Sequence, residues 1–95
     1  MGDKEELIAG LREAVRNYHD ALSGKSGEER EDLLRVVDHA EVIADAMSLG
    51  DVERAKLSIY ALSRQVTDSY YQQPQEFGAL SSSVKRIKKH LFGEV

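Results

Sequence analysis

The chain has 95 residues, 41% of them hydrophobic and 32% charged, with a formal net charge of -4 and no cysteine. That length supports one domain with a modest core, and the balance of apolar to charged residues fits a folded chain rather than a disordered one. Disulfides, thiolate metal sites and thiol nucleophiles are excluded. The acidic opening MGDKEELIAG and apolar runs far shorter than the ~18 residues of a membrane span predict a soluble, cytoplasmic protein.

A first helix is predicted from about Lys4 to Ser23. Asp3 and Glu6 have capping-box spacing at its start, and Gly24 offers its stop. Leu7, Leu11, Val15, Tyr18 and Leu22 recur at helical spacing, widened by Ile8 and Ala14, while Arg12, Glu13 and Arg16 occupy the opposite face. The stretch GKSGEER then breaks the pattern, and Ser26 with Glu29 suggests a second capping box before a helix spanning about Gly27 to Ser48. Its acidic first turn suits the positive end of the helix dipole. Its apolar stripe is Leu33, Val36, Val37, Ala40, Ile43, Ala44 and Met47.

Leu49-Gly50-Asp51 reads as a tight turn, with Gly50 free to take a left-handed conformation and Asp51 placed to cap the next helix. That third helix is predicted over about Val52 to Gln72. Ala55, Ile59, Leu62 and Val66 line one side and Leu57, Tyr60 and Ala61 another, a width that calls for a central position or a covering second chain. Pro74, the only proline, is placed in the first turn of a fourth helix running to about residue 92. Phe77, Leu80, Val84, Ile87 and Leu91 form its seam, and Gly93 ends it.

Short connections between successive amphipathic helices favour antiparallel neighbours. The predicted fold is therefore all-α, an antiparallel up-down-up-down four-helix bundle forming a single domain over residues 1–95, with dimerisation as a route to extra buried area. The phrase ADAMSLGDVERAKLSIYAL looks like one unit of an α-solenoid, but no second copy follows at a fixed period.

No catalytic or cofactor signature is present. His19, His39 and His90 lie on three different predicted helices. Asp38, Glu41 and Asp45 share a helix surface near His39, which reads as a hydrated acidic face more readily than a cation site. Ser81-Ser82-Ser83 lacks a nucleophile elbow, and the glycines stand singly at helix ends rather than in a phosphate-binding loop. The expectation is a protein without enzymatic activity, cofactor or metal.

Charge is distributed unevenly: residues 1–55 hold 14 acids and 7 bases, residues 56–95 hold 3 acids and 6 bases. Folding one half onto the other would neutralise both. Lys85, Arg86, Lys88, Lys89 and His90 fall within six residues of the last helix, with Glu94 the one acid after Glu76. They are either the solvated back of a helix or a surface for an acidic protein, anionic lipid headgroups or nucleic acid. Nucleic acid is the weakest of these, because the acidic half repels phosphate and no aromatic residue is interleaved with the bases. Tyr70 and Tyr71 offer a flat amphipathic surface, or else pack edge-on against Phe77.

Two capped helices, a Gly-Asp turn, a third helix and a basic terminal helix resemble the small four-helix-bundle immunity proteins that protect bacteria against pediocin-type bacteriocins. The resemblance rests on length and layout, and the acidic net charge departs from many members. It implies that the C-terminal portion, with Lys85, Lys88 and Lys89, senses the bacteriocin-bound sugar-transport receptor from the cytosolic side. The stretch YYQQPQEF is similar to an uncharacterised group of short bacterial helical proteins, which implies no activity. Read from the residues, the expected function is an interaction or regulatory module that binds a protein partner or a second copy through Tyr70, Tyr71, Lys85, Arg86, Lys88 and Lys89. Immunity and nucleic-acid association are the alternatives.

Overall fold

The computed structural model describes residues 2–93 and contains four α-helices. They are α1 (Asp3–Ala21), α2 (Gly27–Leu49), α3 (Val52–Asp68) and α4 (Phe77–Phe92), with a short 3-10 turn, Leu22–Gly24, after α1. Side-chain pairs fix the directions. Arg12 meets Asp45 across α1 and α2, Asp32 meets Gln65 across α2 and α3, Tyr18 meets Phe77 across α1 and α4, and Tyr60 meets Phe92 across α3 and α4. Asp32, early in α2, faces Gln65 late in α3, and Tyr18, late in α1, faces Phe77 at the start of α4, so neighbouring helices run antiparallel in the up-down-up-down arrangement that the short connections predict.

Packing is unequal around the bundle. Extensive contacts join α1 to α2, α2 to α3 and α1 to α4, whereas α3 and α4 meet along a loose seam. The core comprises Leu11, Ala14, Val15, Tyr18 and Leu22, the predicted stripe of α2 together with Ala46, and Ala55, Ile59, Leu62, Leu80, Val84 and Ile87. Gly10 of α1 lies next to Ser83 of α4, and a Cβ there would make only an ordinary 4.0 Å contact with Ser83 Oγ. Of the two positions predicted for α3, the central one needs correction: it flanks α2 at the open edge, and Leu57 and Tyr60 are 67% and 58% exposed.

Helix ends follow local chemistry, with several departures from expectation. Gly50 takes φ 75°, and Asp51 accepts the Arg54 backbone N–H at 3.2 Å, making the predicted turn and cap. Gly93 likewise ends α4 with φ 66°. The first cap shifts by one residue: Gly2 is the N-cap, and its N–H donates to the Glu5 carboxylate at 3.3 Å. The Ser26–Glu29 box does not form. Gly27 enters α2 with φ 62°, and Glu29 pairs instead with Lys25 at 3.3 Å.

The largest correction lies between α3 and α4. α3 stops at Asp68 rather than Gln72 because Ser69 turns out of the helix with ψ 137°. Its hydroxyl donates to Asp32 at 2.6 Å and accepts the Tyr71 N–H at 3.2 Å, a side-chain competition that ends helices. Pro74 does not occupy the first turn of α4. Its carbonyl accepts the Phe77 N–H at 3.0 Å in a turn that precedes the helix.

Candidate functional site

The basic residues of α4 fall on two flanks. Val84 and Ile87 point into the core and divide them. Arg86, Lys89 and His90 border a shallow depression of about 500 Å³ opposite Asp3, Glu6 and Leu7 of α1. Here opposite charges face each other across solvent, and part of the imbalance between the two halves of the sequence is offset. Lys85 and Lys88 turn the other way, toward α3. The sequence-predicted cluster is therefore not one continuous patch.

On the α3 flank, Lys85 and Lys88 stand beside a groove of about 280 Å³ between α3 and α4. Its floor is made by the core residues Ile59, Leu62 and Val84 and by the half-buried Val66 and Phe77, while Ser63, Thr67 and Ser81 occupy polar positions along it. Tyr60 and Phe92 make an edge-to-face contact at 5.9 Å across the same pair of helices, with Lys56 Nζ 5.0 Å from the Phe92 ring centroid. The seam is thus shut at that end and open toward Phe77. Among the described residues, Lys85 and Lys88 make no ion pair. Arg64 on the α3 side is engaged with Asp68 at 3.6 Å, so that lip is close to neutral.

Tyr70 and Tyr71 lie elsewhere. Tyr70 is 94% exposed, and the two rings meet edge-on at 6.1 Å. Tyr71 leans over the acidic start of α2, its hydroxyl donating to Glu28 at 3.4 Å in a cavity also lined by Glu31, Asp32 and Arg35. Partial burial and then the Glu28 carboxylate push its pKa upward. Phe77 packs against Tyr18 at 6.2 Å, so neither tyrosine takes the predicted place against it. Lys88 is eleven residues along α4 from Phe77, about 16 Å at helical rise. The six residues grouped from the sequence therefore divide among three surfaces.

Tyr18 and the α3–α4 loop make a polar cluster at the bundle end. Tyr18 is fully buried and donates its hydroxyl to Gln73 Oε1. Burial, with Asp32 adding negative charge nearby, raises its pKa well above the ordinary tyrosine range. Asp32 also accepts from Gln65 at 3.0 Å, so it holds both the last turn of α3 and Ser69. These groups fasten the loop across α1 and α2.

Asp38, Glu41 and Asp45 do not gather into a cation site: among the described residues no group of three or more potential ligands is close enough to hold a metal. Asp45 instead pairs with Arg12 at 3.3 Å. No helix among the described residues is long and apolar enough to cross a membrane. Glu94 lies outside the described residues. The groove itself was missed in the sequence, although Ser63 and Thr67 on α3 and Ser81, Lys85 and Lys88 on α4 border their apolar stripes at helical spacing. That double border was its signal.

Comparison with known proteins gives no match: no family model, no curated protein and no solved structure aligns with the chain.

Proposed function

We propose that this protein is a non-catalytic interaction module that docks a protein partner on the α4 flank facing α3. One observation carries the reading: Lys85 and Lys88, without acidic partners among the described residues, border the groove between α3 and α4, where Val66 and Phe77 are half-buried. Apolar surface supplies affinity when covered, and a charged rim orients the encounter and selects the partner. The groove falls near the lower end of the ~300–1,000 Å³ typical of small-molecule sites, and it joins two helices rather than enclosing a cavity. Arg86 and Lys89 belong to the opposite flank, and Tyr70 and Tyr71 to the loop end; none of these four is central to the docking surface.

A phosphate-tracking surface would need its bases on one continuous face, whereas these bases divide around the core seam and one group faces Asp3 and Glu6. A protein partner is therefore preferred over nucleic acid. Site-specific photo-crosslinking tests the reading. A photoreactive amino acid at Ser81 should give discrete protein adducts in cell extract that are absent when it replaces Glu41 on α2. Identical adducts at both positions, or none at Ser81, would remove the groove as a docking surface.

An immunity function of the bacteriocin type is a second reading, supported by the antiparallel four-helix arrangement and the exposed Lys85 and Lys89 near its C-terminal end. Expression in a bacteriocin-sensitive bacterium separates it from the general docking role. Protection lost on Lys85→Glu/Lys89→Glu substitution supports immunity, and unchanged sensitivity of cells expressing the wild type refutes it.

A further inference from the structure

We propose that the outer face of α3 joins two copies of this chain, packed antiparallel about a two-fold axis that passes between Ser58 and Ile59. Ala55, Ile59 and Leu62 turn α3 toward the core, and the opposite side of the helix carries Glu53, Leu57, Tyr60 and Arg64, all exposed. None of these four side chains lines the α3–α4 groove, so the inference is independent of the docking role assigned to the α4 flank. Spacings of four, three and four residues place them in one stripe about 16 Å long. Leu57 and Tyr60, at its centre, are 67% and 58% exposed, so the apolar area here is open to water rather than part of the core.

Charge selects a second copy as the occupant and sets its direction. Turned end for end, the same spacing superposes on itself: Glu53 meets the second copy's Arg64 and Leu57 meets the second copy's Tyr60, each contact occurring twice by symmetry. Parallel packing would set Glu53 against Glu53 and Arg64 against Arg64, and like charges across a contact repel. The net charge of -4 opposes indiscriminate self-association, so a self-contact needs a local match of opposite charges, which this stripe supplies. Phe92 holds Tyr60 edge-to-face at 5.9 Å, and Lys56 Nζ covers the Phe92 ring at 5.0 Å. The aromatic surface that receives the second copy's Leu57 is therefore oriented beforehand. Arg64 pairs with Asp68 at 3.6 Å in an exposed setting, an interaction weak enough to be shared with the incoming Glu53.

A single helix pair covers less than the about 800 Å² per partner of a standard interface, so the dimer forms and dissociates with concentration. Leu57 is hydrated in the dilute monomer and covered in the dimer. Sedimentation equilibrium of the full chain at moderate salt, from about 10 μM to about 1 mM, should show reversible dimerisation. Glu53→Arg and Arg64→Glu should each weaken it about tenfold or more, since each sets like charges together at both symmetry-related contacts. Combining them in one chain should restore association, and mixing the two single variants should give a heterodimer. Leu57→Asp should abolish association while its circular dichroism remains native, because the side chain it replaces is exposed. Lys85→Glu/Lys88→Glu should leave the dimer intact.

A wild type that stays monomeric throughout overturns the proposal, as does a dimer that Glu53→Arg and Arg64→Glu both leave as strong as before. Failure of the two natively folded single variants to associate when mixed, while wild type dimerises, overturns the antiparallel pairing. A dimer lost in Lys85→Glu/Lys88→Glu but kept in Leu57→Asp would place the contact in the α3–α4 groove and likewise overturn it. Ser81 photo-adducts that persist beside a monomeric wild type leave the docking role of the α4 flank standing. Their absence alongside a charge-sensitive dimer removes that role and leaves the outer face of α3 assigned to the second copy.

Discussion

Tyr18 illustrates how one side chain can couple the bundle end to pH. Its ring fills the core beside Phe77 while its hydroxyl reaches Gln73, so ionisation would place charge in a buried setting close to Asp32. The folded pKa is raised above the ordinary value of 10.0, and the folded state consequently holds this proton more tightly than the unfolded chain. The resulting stabilisation is fully present below pH 10 and declines as pH rises above it toward the folded value. Denaturation from pH 9 to 11 should therefore show a steeper loss for wild type than for Tyr18→Phe. Tyr71, shifted in the same direction, remains in both proteins, so their difference isolates Tyr18. Equal slopes would remove its role. At neutral pH, losing the hydroxyl should cost about 1 kcal/mol, the net value of a typical internal hydrogen bond.

At the scale of elements, α3 and α4 show why amphipathicity and position are different properties. Both carry apolar side chains at helical spacing, but α4 is anchored through Leu80, Val84 and Ile87, whereas Leu57 and Tyr60 extend the stripe of α3 onto exposed surface. Ile87→Ala should destabilise the protein by about 2–5 kcal/mol, through lost burial and the cavity left behind. Leu57→Ala should stay within about 0.5 kcal/mol, because its site is largely hydrated already. Urea denaturation of the two variants checks the ranking, and comparable losses would require Leu57 to be covered in solution.

The sequence shows the helices more clearly than their last turns. Continuous spacing extends α3 through Gln72, but Ser69 is drawn out of the helix by Asp32, 37 positions earlier. A local reading of DSYYQQP cannot supply that partner. The same limit applies at Pro74, whose fitness for a first helical turn is a local preference, while the turn it occupies depends on where the preceding loop is fastened. The capping prediction succeeds at Asp51, where donor and acceptor are three residues apart, and fails at Ser26, where Gly27 and Lys25 change the local geometry.

Across the whole molecule, the bases of α4 divide between the α1 side and the α3–α4 seam. Lys85 faces solvent and Lys88 is half-buried beside the groove, so reversing both charges changes the rim without replacing a core side chain. Lys85→Glu/Lys88→Glu should unfold within about 0.5 kcal/mol of wild type in urea, as expected for substitutions outside the core. A loss of several kcal/mol would instead make the lysines structural supports of the seam. Contacts proposed at Lys85 and Lys88 are screened by salt, so the yield of Ser81 photo-adducts should fall between low and moderate ionic strength. A salt-independent yield would remove the two lysines from recognition.

The sequence by itself determined the four helical segments, most of their buried stripes and the Gly50–Asp51 turn, because spacing, capping and backbone freedom act over a few residues. It also displayed every basic residue of α4. Only the tertiary structure decided that those bases divide around the core seam, that Tyr70 and Tyr71 stand apart from them, and that α3 and α4 remain open to each other. Helical periodicity specifies which side chains share a face but not which distant helix meets it; that pairing is set by the joint packing of all four stripes and by hydrogen bonds such as Ser69 to Asp32 between residues far apart in the chain.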